Sequence, residues 1–238
     1  MKTLYLVRHA KANKGNSNSP DSKRSLTKKG KNDAAKMAKK IKRNGVIPDV
    51  LISSPAKQAI QTAQIFAKAI NYPKDKIIRN ESIDEGSEWS ENLLMQSVHE
   101  IDDQNQSAMI FGHAPLLAEF AQYLRKDFTE TLPSCGVVCF DFRNISWSKI
   151  SKGGGILKFF DYPKKQKKLR AKMKKDLETK ITDSVTQTLS EMNADVVQRM
   201  KKSVKKSGKE LSQKFVRVFK SIQVDGNREK STATKKNR

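Results

Sequence analysis

The feature that most constrains this chain is a short apolar run placed almost at its start and closed by two cations, Leu4-Tyr5-Leu6-Val7-Arg8-His9-Ala10. Four consecutive β-prone apolar residues read as a strand buried on both faces, which an α/β sheet provides and a half-solvated antiparallel sheet does not. A strand of that kind delivers Arg8 and His9 to the carboxyl edge of the sheet, where open α/β folds bind their ligands. The guanidinium offers a planar fork for an oxyanion. The neighbouring imidazole can serve as base, nucleophile or ligand.

The same grammar recurs down the chain. After a polar loop over 11–23, Thr27 is placed to cap a helix whose apolar face is Ala34, Ala35, Ala38 and Ile41, with Gly45 as its stop. Val50-Leu51-Ile52-Ser53 reads as a second buried strand. It ends in Ser53-Ser54-Pro55, with Ser54 as cap and Pro55 as first residue of a helix reaching about Ile70. A short strand near 76–79 and a helix near 90–101 are expected next. Ala108-Met109-Ile110-Phe111 then forms a strand closed by Gly112-His113, and a helix carrying Leu117, Phe120, Ala121 and Leu124 follows. Strands over 137–142 and 156–160 complete a parallel or mixed sheet with helices on both faces. Three strands thus end in polar residues at one edge: Arg8-His9, Ser53-Ser54 and Gly112-His113.

These segments, in order, carry Leu-Val-Arg-His-Ala, Arg-Ser-Leu-Thr-Lys-Lys-Gly, Ser-Ser-Pro-Ala-Lys-Gln-Ala-Ile-Gln-Thr-Ala and Phe-Gly-His-Ala-Pro. Together they resemble the histidine phosphatase superfamily, and within it the small SixA-like phosphohistidine phosphatases, over residues 1–163. The resemblance implies a three-layer α/β/α sandwich like that of phosphoglycerate mutase. It implies protein phosphohistidine phosphatase activity through a phospho-His9 intermediate, with Arg8, Arg24 and His113 holding the phosphate and no metal or organic cofactor. The implied partner is a phosphohistidine-bearing phosphocarrier or phosphotransfer protein. At one position the chain departs from the pattern: Gln58 stands where the family has a second phosphate-binding arginine. A missing charge-assisted contact is worth about 1.5–3 kcal/mol, so a phospho-ligand-binding protein without turnover is the alternative reading. Asp84, Glu85, Glu88 and Glu91 fall where larger members place an acid, and Glu85 is the candidate among them.

Composition bears on the remainder. The net charge of +23 divides into +8 over residues 1–163 and +15 over 164–238. Apolar residues recur at helical spacing from Leu169 to Ile222 without an intervening proline, so 164–223 is expected to be a basic amphipathic helix, or a pair broken at Gly208. Its mostly four-residue steps drift around a straight helix and do not keep the roughly 3.5-residue period of a left-handed coiled coil. The polar stretch 224–238 is expected to be disordered. For the extension, three roles are open: packing on the catalytic domain or a second copy, binding a polyanion such as nucleic acid or polyphosphate, or lying on an anionic membrane surface. Cys135 and Cys139 suit core packing better than a zinc site or a disulfide scaffold. With no signal-like or membrane-spanning run, the sequence reads as cytoplasmic.

Overall fold

The structure, a computed structural model, describes residues 1–14, 21–83, 91–143, 145–192 and 194–236. The chain divides into two compact units, Met1–Pro163 and Lys164–Arg238.

The first unit is built on a six-stranded mixed sheet of β1 (Lys2–Arg8), β2 (Val50–Ser53), β3 (Ile78–Arg79), β4 (Ser107–Gly112), β5 (Val137–Phe142) and β6 (Ile156–Asp161). Their spatial order is β3-β2-β4-β1-β5-β6. Strands β3, β2, β4 and β1 run parallel, whereas β5 is antiparallel to both β1 and β6. The opening apolar run is therefore interior to the sheet, with β4 on one side and β5 on the other. Alternation along the strands separates two cores. Tyr5, Val7, Leu51, Met109 and Phe111 pack beneath α1 (Lys28–Arg43) and α2 (Lys57–Ile70). Leu4, Leu6, Ile52, Ala108 and Ile110 face α3 (Glu91–His99) and α4 (Ala114–Leu124). This is the expected three-layer α/β/α sandwich. Both cysteines are buried in the first of these cores, as expected.

Local chemistry explains the element boundaries. Thr27 caps α1, its hydroxyl accepting the Gly30 N–H at 2.9 Å, and Met37 joins Ala34, Ala38 and Ile41 on the buried face where Ala35 was expected. The start of α2 departs from the sequence expectation. Its N-cap is Ala56 and its first residue Lys57, because the Ser54 hydroxyl accepts the Ala56 N–H in a tight turn before the helix.

The second unit is a helical hairpin, α5 (Lys165–Met192) followed by α6 (Ala194–Lys236). Gly208 does not break the helix. It lies within α6 and faces α5, and a β-carbon there would stand 2.7 Å from Thr182 Oγ1. Its role is close packing, flanked one turn away on each side by buried Val204 and Ser212. The last element, α6, runs to Lys236.

Candidate active site

The carboxyl ends of β2, β4 and β1 lie side by side, and main-chain hydrogen bonds continue the sheet past its last side chains. The Ser54 N–H donates to Phe111 O and the His9 N–H to Gly112 O, each at 2.9 Å. On the other side of β1, the Cys135 N–H donates to His9 O at 3.1 Å. Both peptide groups of His9 are thereby fixed.

Its ring is fixed as well. His9 is 5% exposed, and its Nδ1 lies 2.8 Å from its neighbour's carbonyl, Ala10 O. A carbonyl only accepts, so Nδ1 carries the proton and Nε2 the lone pair. That Nε2 lies 3.1 Å from Nδ1 of His113, with the two rings stacked at 5.2 Å between centroids. For this contact to be a hydrogen bond, His113 Nδ1–H donates to His9 Nε2. Burial pushes the His9 pKa down from 6.5 to about 4. The Ala10 carbonyl opposes that shift, and the nearby charges of His113, Arg8 and Arg24 add to it. His9 is therefore a neutral imidazole near pH 7, presenting an unprotonated ring nitrogen among cations.

Around it the other expected residues fall at different distances. Arg8 follows β1 directly to His9 and spends one nitrogen on the 132–136 turn, Nη1 donating to Leu132 O at 2.9 Å. Arg24 comes from a segment that runs back along the loop after His9. The Thr27 N–H donates to Lys11 O and the Asn13 N–H to Ser25 O, both at 2.9 Å, and Gln61 on α2 accepts the Leu26 N–H at 2.8 Å. Gly30 permits that approach, since a β-carbon there would lie 2.1 Å from Lys11 O. Arg24 itself reaches Asn13 O at 3.4 Å, and its charge is felt at His9.

Gln58 is 1% exposed on the first turn of α2, and its Oε1 is buried with no hydrogen-bond partner among the described residues. A relay links it to the segment after β1: the Thr62 hydroxyl donates to Gln58 O at 2.7 Å and accepts the Ala10 N–H at 3.0 Å. Glu85, with Asp84 and Glu88, lies outside the described residues.

Glu81 lines a cleft of about 440 Å³ with Ser22, Lys23, Pro55, Ala56 and Lys57. β3 is parallel to β2, so the residues after Arg79 emerge at the same edge as Ser53-Ser54.

The site thus gathers a neutral, buried imidazole at the carboxyl edge of parallel strands, with arginines close by, an arrangement chemically suited to an oxyanion. A model of the histidine phosphatase superfamily (branch 1) matches residues 4–109. That stretch contains Arg8, His9, Arg24 and Gln58, and His113 lies just beyond it. Among solved structures, SixA from Agrobacterium tumefaciens is similar with a TM-score of 0.56 at 22% identity, over 68% of this chain and 98% of that one. The protein histidine phosphatase SixA complexed with tungstate gives 0.56 at 20% identity, over 68% and 97%. SixA from Nakamurella multipartitia gives 0.56 at 18%, over 68% and 96%. At these identities the likeness is one of fold. No curated protein matches the chain by sequence.

Proposed function

We propose that the first unit is a protein phosphohistidine phosphatase that works through a phosphorylated His9. The observation that carries this reading is the tautomer of His9: Nδ1–H is held on Ala10 O, and Nε2 is aimed out of the strand end beside His113. Attack by Nε2 on phosphorus forms one N–P bond as the substrate's own N–P bond breaks, and the leaving imidazole nitrogen takes its proton from solvent or a nearby acid. Water then attacks phospho-His9, releasing phosphate and restoring Nε2.

Each neighbour has a part in that sequence. When a phosphoryl group displaces the contact between the rings, His113 Nδ1–H turns from a nitrogen lone pair to a phosphate oxygen without leaving its place. Arg8 and Arg24 stabilise the charge on the remaining oxygens, the main demand in phosphoryl transfer. An exchange of one phosphoramidate for another asks little of a general acid, whereas an alkoxide leaving group requires a proton. Binding of tungstate by a SixA protein of the same fold supports an oxyanion site here.

A second reading rests on Gln58, which brings no charge to the site: the pocket holds a phosphorylated ligand without turning it over. One experiment separates the two. Wild type, His9→Ala and Gln58→Arg are compared in dephosphorylating a phosphohistidine-carrying phosphocarrier protein. Turnover by wild type that His9→Ala abolishes establishes the enzyme, and Gln58→Arg should raise it about ten- to a hundredfold. A silent wild type overturns the enzymatic reading, and activity gained only with Gln58→Arg supports the second.

A further inference from the structure

The hairpin of the second unit leaves an apolar surface on which the rest of its own fold does not close. Between α5 and the C-terminal half of α6 lies a groove of about 540 Å³ floored by Leu169, Met173, Leu177 and Phe219. Arg170, Lys172 and Lys180 stand along it, with Asp176 as the carboxylate among its lining residues. The floor continues along α6. Phe215 stacks on Phe219 with ring centroids 6.3 Å apart, and Leu211 lies one turn before Phe215. Leu169, Leu211 and Phe215 are 47%, 52% and 51% exposed. On α6, Lys209, Lys214 and Arg217 flank this band, and Glu210 is the one acid between Arg199 and Arg217. No described helix is long and apolar enough to cross a membrane.

From this arrangement we infer that the hairpin lies on the surface of an anionic phospholipid bilayer, inserting the Leu169–Leu211–Phe215 band while the flanking lysines and arginines meet the headgroups. Three considerations select that occupant. Residues 164–238 carry +15, so a second copy seated on the same face would bring like charge against like. A nucleic acid would use the cations and leave the apolar band in water. The aromatic rings of α6 are also stacked on each other, not held open for bases. An interfacial surface uses both features at once: apolar area enters the acyl boundary, and each cation gains from the negative surface potential.

The test uses the full chain, sedimented with vesicles of phosphatidylcholine alone or of phosphatidylcholine mixed with phosphatidylglycerol. Binding to the mixed vesicles should exceed binding to neutral ones by about tenfold or more and weaken with salt. A Leu211→Ser/Phe215→Ser variant should lose roughly tenfold or more, as expected for withdrawing two half-exposed apolar side chains from the interface. A Lys214→Glu/Arg217→Glu variant should lose the preference for anionic lipid. Far-UV circular dichroism reads the helix content of both, and the reversal pair probes the same surface where the serine pair unfolds. Absence of vesicle binding by wild type overturns the inference. So does a duplex DNA bound as tightly as the mixed vesicles and indifferent to the serine pair, or a dimer in solution that the serine pair dissolves.

Discussion

If His9 is buried as a neutral imidazole, acidification must work against the fold. An unfolded histidine titrates near 6.5, whereas in the folded unit protonation waits until about pH 4. Between those values the unfolded chain binds more protons than the native one, so stability is fully present above about pH 6.5 and is lost as pH falls toward 4. The loss between about pH 7 and about pH 4.5 comes to about 2 kcal/mol. That is a substantial part of a domain's stability. Urea unfolding read by tryptophan fluorescence isolates the first unit, because Trp89 and Trp147 both belong to it. The comparison is with His9→Gln, which cannot titrate. Carboxylates and other histidines contribute equally to both proteins and cancel in the difference. The stability of wild type relative to the variant should fall by about 2 kcal/mol on going from neutral to acidic conditions. A difference that does not change with pH would refute the buried neutral imidazole, and with it the reason for expecting an unprotonated nucleophile at neutral pH.

Other consequences can be checked by similar unfolding measurements on further variants. Gly30→Ala places a methyl group against the Lys11 carbonyl, where no side-chain motion relieves it. Urea unfolding should show a loss at the upper end of about 1–3 kcal/mol, with impaired phosphatase turnover as the Arg24 segment shifts. Thr62→Val leaves the Ala10 N–H buried without its acceptor and should cost about 1–3 kcal/mol in the same assay. Gly208→Leu discriminates between intrinsic helix preference and hairpin packing. Propensity alone predicts a gain of roughly 1 kcal/mol, whereas the 2.7 Å approach to Thr182 Oγ1 predicts a lower melting temperature at 222 nm from overpacking.

Much of the site could be read before folding because strand ends are simple objects. A buried apolar run followed at once by Arg8-His9, and another by Gly112-His113, specify residues that parallel pairing must bring to one edge, and Thr27 announced its cap three residues ahead of Gly30. What escaped the reading depends on longer-range geometry. The turn at Ser54 is set by which N–H its hydroxyl accepts, and Ser-Pro before an apolar period looks the same whether the helix starts at Pro55 or at Lys57. Glycine in a long polar helix reads as a break when considered alone. Its value at 208 exists only once α5 lies against it. His99, the third histidine, shows the opposite case: its Nε2 is held 2.8 Å from Ile150 O within a structural turn, and nothing draws it to the site.

His9 is tied by its own peptide groups on both sides, to the end of β4 through Gly112 O and to the turn before β5 through the Cys135 N–H. Its amide proton therefore cannot exchange with solvent through a local opening of a loop, and should be protected to the level of the whole sheet. The His9 ring inherits that anchorage. On heating, such a protein would keep the geometry around His9 until the sheet parts and then lose it within the same transition. Loss of that geometry would report melting of the entire first unit, with no earlier loosening around His9.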